Sequence, residues 1–337
     1  MTTGTLDTPA PPVPRPQAGG RLHGLLWLVW RQNRVAAWAG LAVVVLGCGW
    51  LLAEHLVISD GVSAAHRAGC GEPLEWRNAG CGRRWNDLYQ DVQRCTQFVL
   101  PAFALLPLLA GLFLGAPLLA QEYEHGTLPL VWTQSVPRGR WLAFRLGGAG
   151  LIVLLVSGIL TAVGGRFWWT AVYRNSFSYD SPFAAPIYQV IGPVAVTTAL
   201  FALALGTAAG MLLRRTLPAM AVTGGVVVAV ELALYALRPH LYPMVHATQV
   251  GPSGAFLFTE PRGAWLVSNG TVLPDGSRVP LNQCGDDLAC QTSRTFYGDY
   301  HPVSHFLPIQ FIESGILLLG TAALVAFAFH RLRRAAV

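Results

Sequence analysis

Six long apolar stretches constrain this chain more than any other feature of its sequence. They cover approximately residues 35–56, 98–120, 145–165, 186–213, 216–237 and 306–329. None of them contains more than one Asp, Glu or Arg. A helix needs about 20 mostly apolar residues to cross the hydrocarbon core of a bilayer. The sequence therefore predicts an all-α polytopic membrane protein with six transmembrane helices.

The charge content supports this prediction and excludes several classes of enzyme. Charged residues make up 12% of the chain, whereas soluble domains carry about 25%. All 23 basic residues are arginine, and the chain contains no lysine. A P-loop nucleotide site and Schiff-base chemistry both need a lysine, and no serine-triad, HExxH or GxSxG motif is present. We therefore expect no catalytic residues in this chain.

The arginines next to the six stretches predict how the chain is oriented. With the N-terminus inside, 12 of the 23 arginines fall on the short inner segments 1–34, 121–145, 214–215 and 330–337. These segments then have a net charge of +9, and the outer loops have a net charge of −1. Basic residues favour the cytoplasmic side, so we expect both termini in the cytoplasm. Because these arginines lie beside the apolar stretches, we attribute the net charge of +6 to orientation in a membrane and not to binding of nucleic acid.

The N-terminal region divides into two parts before the first stretch. Residues 1–20 are rich in proline and lack the apolar core of a signal peptide, so we expect a disordered cytoplasmic tail. Residues 21–34 place five apolar side chains at helical spacing between Arg21 and Arg34. This pattern predicts an elbow helix that lies in the inner interface. The alternative, an early start of the first span, would put charged side chains in lipid.

Two long segments, 54–97 and 238–305, lie on the outer side. The second contains two turn signals, Ser268-Asn269-Gly270 and Pro274-Asp275-Gly276, each next to short apolar runs. They predict a small β-hairpin in an otherwise helical protein.

Five of the six cysteines fall on the outer side, where disulfides form. Cys70 with Cys81 and Cys284 with Cys290 are candidate pairs, although spacing alone does not fix connectivity and free thiols are the alternative. His301 and His305 follow the second pair. The C-x₅-C spacing and Pro302 argue against a zinc site, and we expect no metal.

Two acidic residues, Glu231 and Glu313, lie within the apolar stretches. An acid in a span is costly to bury and is a functional candidate for that reason. One interpretation is a proton or cation site, or a polar contact in a translocation path. The other is hydrogen bonding between helices, which we favour for each residue taken alone.

Several segments make the chain similar to a known family. They are WRQNR (30–34), GAPLLAQEYEHGT (115–127), WTQSVPRGRW (132–141), LRRTLPAM (213–220) and PIQFIESG (308–315). The E-x-E-x-G-T step and the following T-x-S-V-P-R turn carry most of the likeness. On these residues the chain resembles the membrane subunit of type-2 ATP-binding-cassette (ABC) exporters, in the form common in actinobacteria.

This resemblance implies a permease without enzymatic activity of its own, in the bacterial plasma membrane. It implies that loop 121–145 is a coupling helix that docks on a separate ATPase subunit, through Glu122, Glu124, Gly126, Thr127, Arg138 and Arg140. ATP and Mg²⁺ would then bind to the partner chain and no cofactor to this one. A second permease copy or paralogue would complete the pathway among membrane lipids. The rival hypothesis is an ion-coupled secondary transporter that uses Glu231 or Glu313.

Overall fold

The computed structural model describes residues 20–70, 79–126, 137–175, 181–251, 258–284, 290 and 293–334, and only the backbone of residues 20–30, 32 and 79. Within this part, six helical segments are long and apolar enough to cross a membrane. They are Asn33–Arg67, Gly80–Glu124, Arg138–Tyr173, Pro193–Leu213, Thr216–His240 and Val303–Arg334, here called the first to sixth spans. The predicted fold class, a six-span helical protein with a small β element, is confirmed.

The first helix continues well beyond the predicted span at both ends. It runs without interruption over Gly20–Arg67, so no break near Arg34 separates an elbow helix from the first span. The elbow helix stays a prediction. The predicted tail lies outside the described residues. At the other end the helix continues into the segment that the sequence suggested was an outer loop.

A second helix, Ala79–Arg94, faces the end of the first and turns most of this outer segment into a helical hairpin. Its buried side chains Trp85, Leu88 and Val92 lie at helical spacing, and Leu88 packs directly on Gly61 of the first helix. A disulfide between Cys70 and Cys81 closes the hairpin at a Cα–Cα distance of 5.5 Å. The apolar residues of this helix recur at helical spacing in the sequence, but the segment as a whole is polar and was interpreted as part of a loop.

The second span is broken into short helical pieces because it contains three prolines. After a π-helical turn at Cys95–Val99 come the α-helices Leu100–Ala104 and Leu106–Leu109, a second π-helical turn at Ala110–Gly115, and the α-helix Ala116–Glu124. Each α-helical piece has a proline at its first or second position. Proline has no N–H to donate to the preceding turn, so it fits best where a helix restarts.

The remaining spans are more regular. The third consists of the α-helix Arg138–Phe167 and a π-helical turn, Trp168–Tyr173. A short helix, Ala185–Tyr188, precedes the fourth span, Pro193–Leu213. The fifth is the α-helix Thr216–Leu237 with a 3₁₀ turn at Arg238–His240. The sixth is the 3₁₀ turn Val303–His305 followed by the α-helix Phe306–Arg334.

The fourth span starts later than the sequence suggested, at Pro193 and not near residue 186. Gly192 has an extended backbone, and Pro193 is well suited to the first helical position. The fourth span is also the centre of the bundle. In its most apolar 18-residue stretch 72% is buried, whereas the corresponding share for the other five spans lies between 11% and 22%. The fourth span therefore makes most of its contacts with other helices and not with lipid.

A four-stranded antiparallel sheet covers the end of the bundle formed by the start of the sixth span. Its strands are β1 (Val245–Val250), β2 (Trp265–Val272), β3 (Arg278–Pro280) and β4 (Thr295–His301), in the order β1-β4-β2-β3. The predicted turn at Pro274-Asp275-Gly276 joins β2 to β3, with Gly276 at φ +83°. A 3₁₀ turn, Leu281–Gln283, follows β3, and a disulfide joins Cys284 to Cys290.

The other predicted turn, at Ser268-Asn269-Gly270, was wrong. These residues lie inside β2, where Asn269 pairs with Gly298 of β4. Glycine at position 270 lets β2 and β4 approach closely, since a Cβ there would lie 2.7 Å from the Tyr297 ring. A glycine can mark such crowding as well as a turn, and the sequence did not distinguish the two.

Candidate functional site

The end of the bundle that carries Gln121–Gly126, Pro137–Arg145 and Arg214–Thr216 is here called the basal end. The opposite end, which carries the sheet and the start of the sixth span, is called the apical end. Five of the residues implied by the family resemblance, Glu122, Glu124, Gly126, Arg138 and Arg140, lie at the basal end, and the two intramembrane acids lie toward the apical end.

Glu122 connects the second span to the third at the basal end. Its carboxylate accepts a hydrogen bond from Nη1 of Arg145 at 2.5 Å. Both side chains are largely buried, with exposed fractions of 19% and 15%, and the Arg145 guanidinium lies 5.2 Å from the centre of the Trp141 ring. Charge-assisted hydrogen bonds are stronger than neutral ones, and partial burial limits screening by salt. The pair therefore fixes how the two spans meet.

Glu124 connects the second span to the fifth. The backbone N–H of Thr216 donates to Oε1 at 2.9 Å, and the Thr216 hydroxyl donates to Oε2 at 2.6 Å. Thr216 is the first residue of its helix, where the N–H groups have no partner within the helix and the dipole favours a negative charge. Glu124 thus caps the fifth span from a neighbouring helix.

The other basal residues of the predicted set have more local contacts. Gly126 ends the helix of the second span with φ +64°, a conformation that favours glycine. Arg138 is half-buried at the start of the third span. Arg140 is exposed, with its guanidinium 5.8 Å from the centre of the Phe144 ring. Thr127 and most of the turn before Arg138 lie outside the described residues.

Arg214 and Arg215 lie between the fourth and fifth spans, beside these contacts. Arg214 adopts a left-handed backbone, with φ +54°, and its N–H donates to the Gly210 carbonyl. Its guanidinium lies 5.4 Å from the centre of the Tyr123 ring. The end of the second span is therefore connected to the third span through Glu122, to the fifth span through Glu124, and to the turn between the fourth and fifth spans through Tyr123.

At the apical end, Glu313 is fully buried and paired with an arginine that the sequence interpretation had placed in the outer loop. Nε and Nη2 of Arg238 donate to the two oxygens of Glu313, each at 3.2 Å. The Tyr188 hydroxyl donates to Glu313 at 2.8 Å, and the centre of its ring lies 3.5 Å from the Arg238 guanidinium. A charged group this deep is tolerated when it is paired and hydrogen-bonded.

Gln310 completes this cluster one turn before Glu313. Its side-chain oxygen accepts from the N–H of Val194, and its side-chain nitrogen donates to the carbonyl of Tyr188. It therefore joins the end of the short helix to the start of the fourth span. A Cβ at Gly192 would overlap the Gln310 amide, so this close approach needs glycine.

Glu231 lies nearby on the fifth span, with different partners. The Gln189 amide donates to its Oε2 at 2.8 Å, and the Thr198 hydroxyl donates to its Oε1 at 3.1 Å. Among the described residues it forms no ion pair. Its side chain lines a cavity of about 350 Å³ between the second, fourth and fifth spans.

The partners Tyr188, Gln189, Arg238 and Gln310 were missed by sequence reasoning. A buried glutamate at position 313 requires a donor or a cation, but many polar residues flank the spans. No spacing within the sequence links Arg238 to Glu313, because the two lie on different spans. Only the packing of the spans identifies the pairs.

Comparison with known proteins decides the class. Residues 41–238, more than half of the chain, match the family described as ABC-2 membrane transporter related. The chain belongs to this family. It is a multi-pass membrane protein and an ABC-2-type permease subunit, which is a transport component and not an enzyme on its own. No curated protein and no solved structure matches the chain.

Proposed function

We propose that this permease is half of the membrane part of an ATP-driven exporter. Two copies, or one copy and a paralogue, would form the pathway, and a separate ATPase would dock at the basal end. The observation that carries the proposal is the pair of carboxylates at the end of the second span. Through Glu122 and Glu124 they join this span to the third and the fifth.

This arrangement suggests how force would pass from the ATPase to the bundle. Loop 121–145 begins at the residues that hold three spans together. A displacement of the loop on ATP-driven closure would therefore move the basal ends of these spans as one unit. The central fourth span, packed on the second and the sixth, would transmit the movement toward the apical end. Packed interfaces of this kind switch between discrete arrangements and do not deform continuously.

The partner would supply ATP and Mg²⁺ binding, since this chain has no lysine for a P-loop. The excess of arginine at the basal end favours a cytoplasmic location for that end in a bacterial plasma membrane, with both termini inside. The sheet and the disulfides, at the apical end, would then face the oxidising side. Anionic lipids are expected partners of Arg214 and Arg215.

Co-purification with a co-expressed ABC ATPase from the same genome tests this proposal. We expect the wild-type chain to bring down the ATPase, and the double variant Glu124→Gln, Arg138→Gln to recover several-fold less. The matched control is Glu260→Gln with Arg262→Gln, which removes one exposed acid and one exposed base at the apical end. Membrane yield should be equal for all three. Absence of the ATPase from the wild-type preparation, or equal losses in both double variants, would contradict the proposal.

The rival function, ion-coupled secondary transport, is weakened by the pairing of Glu313 with Arg238. It would then depend on Glu231 alone. Transport driven by a proton gradient in vesicles without the ATPase, and abolished by Glu231→Gln, would favour this rival. We expect no transport in those vesicles.

A further inference from the structure

The cavity beside Glu231 combines apolar walls with one charged group. Leu105 and Pro107 of the second span, Ala195 of the fourth and Val227 of the fifth contribute to its walls. Among its lining residues, Glu231 is the only one with a formal charge at neutral pH. A volume of about 350 Å³ lies within the range of small-molecule sites, which combine apolar walls with a few polar groups.

The hydrogen bonds around Glu231 favour its carboxylate form. The Gln189 amide can only donate through its nitrogen, and it uses one N–H for Oε2 of Glu231. The Thr198 hydroxyl donates to the other oxygen. Burial by itself disfavours the charged form of Glu231, and the donors directed at both oxygens oppose that effect.

The nearest buried cation does not neutralise Glu231. Arg238 lies two turns further along the same helix, and its Nε and Nη2 both donate to Glu313. Glu231 therefore has no hydrogen-bonded cationic partner among the described residues. A cation that entered the cavity would supply the missing counter-charge and stabilise the ionised form of Glu231, since charge–charge attraction is strong in a low-dielectric region.

The cavity is also accessible at its rim. Leu105, Leu232 and Tyr235 line it and are each more than half exposed at the surface of the spans. An amphiphile could therefore enter from the surrounding apolar phase. The half-exposed Tyr235 ring, whose centre lies 5.6 Å from the Arg238 guanidinium, adds apolar surface at the rim.

We propose that this cavity is a binding site for lipophilic organic cations, with Glu231 as the counter-ion and the apolar walls holding the body of the ligand. This assignment rests on the proposed function in that it gives a substrate class for the same permease. Neutral and anionic molecules of similar size would bind less well, because they leave the carboxylate unpaired.

Equilibrium binding of tetraphenylphosphonium to the purified full-length chain in lipid nanodiscs tests the proposal, with empty nanodiscs as the blank. Tetraphenylborate has nearly the same shape and the opposite charge. We expect saturable binding of the cation to the wild-type chain, weakened about tenfold or more by Glu231→Gln, since the variant removes the counter-charge from a low-dielectric cavity, where charge–charge attraction is strong. Glu231→Asp should keep part of the affinity. Asp60→Asn, which removes an exposed acid outside the cavity, should keep all of it.

A second variant keeps the test decisive if Glu231→Gln folds poorly. Val228→Phe fills the rim of the cavity from an exposed position without removing Glu231 or its partners, and it should also weaken binding. The proposal is overturned if the wild-type chain binds no cation saturably, if Glu231→Gln and Val228→Phe both bind like wild type, or if the anion binds equally well. No ATPase is needed, so a failed co-purification and a failed binding assay are distinguishable.

Discussion

Single residues of the apical cluster show how the bundle accommodates charge. Glu313 and Arg238 are exposed by 0% and 1%, so each is stable there only because the other is present. The Tyr188 hydroxyl donates to Glu313, and the Tyr188 carbonyl accepts from Gln310, which ties the pair to the break before the fourth span. The pair therefore fixes the junction of three spans. Glu231, by contrast, has only neutral donors.

Breaking this pair should be far more costly than replacing it. We expect Glu313→Gln to destabilise the protein by about 3–5 kcal/mol, because it leaves a buried guanidinium without its counter-charge. The double variant Glu313→Leu, Arg238→Met should recover much of this loss, since two apolar residues need no counter-charge. Unfolding in mixed micelles by increasing SDS would measure both. If the double variant is as unstable as Glu313→Gln, the pair is not the cause.

At the level of elements, glycine determines how the second and fourth spans cross. Gly111 and Gly115 of the second span lie against Ala202 and Leu203 of the fourth, and Gly206 and Gly210 of the fourth lie against Gly111 and Ala116 of the second. A Cβ at Gly206 would lie 2.5 Å from the carbonyl oxygen of Gly111, and one at Gly210 would lie 2.5 Å from that of Ala116. Small residues at such contacts let helix backbones touch within a membrane. The crossing therefore depends on the absence of side chains.

This contact predicts opposite effects for two helical glycines. Gly206→Ala should destabilise the protein by about 1–3 kcal/mol, because the added methyl group meets backbone atoms that cannot move independently. Gly225→Ala should be neutral or stabilising by up to about 1 kcal/mol, since no atom lies within 4 Å of its Cβ and alanine favours helix. Thermal unfolding in the same detergent compares the two. Equal melting temperatures would rule out a close crossing at Gly206.

For the whole molecule, the contact between the sheet and the bundle depends on a buried histidine. His301, at the end of β4, is fully buried, and its Nε2 donates to the carbonyl of Pro239 at 3.0 Å. Its Nδ1 lies 3.3 Å from Nδ1 of His305 and accepts from it. Burial lowers the pKa of His301 from its usual value near 6.5. Neutral His301 therefore stabilises the docked sheet.

Acid should loosen this junction. A histidine whose pKa is lower in the folded state contributes stability above its unfolded pKa, and this stability is lost as pH falls below about 6.5. Protonation would place N–H groups of His301 and His305 against each other. We expect faster hydrogen exchange in β4 at pH 5 than at pH 7 after correction for intrinsic rates. His301→Gln, which can still donate to Pro239, should abolish the difference; its persistence in that variant would exclude His301 as the cause.

Hydrophobicity in the sequence was sufficient to predict six spans, because the bilayer demands a long apolar helix for each crossing, and turn signals were sufficient to predict a small β element. Hydrophobicity also identified the two acids, Glu231 and Glu313, that lie among the spans. The outer helical hairpin was missed, although Trp85, Leu88 and Val92 recur at helical spacing. The error in β2 arose because Gly270 fits a turn and a crowded strand equally well.

Which polar residues meet was decided by the tertiary structure alone. Glu122 with Arg145, Glu124 with Thr216 and Glu313 with Arg238 join residues 23, 92 and 75 positions apart. Hydrophobicity determines that a segment crosses the membrane, but it does not determine the rotation of a helix or its neighbours. Those depend on side-chain packing and on the few close glycine contacts. For this reason the sequence identified Glu231 as an unusual acid, and only the folded bundle placed it in a cavity that no basic residue lines.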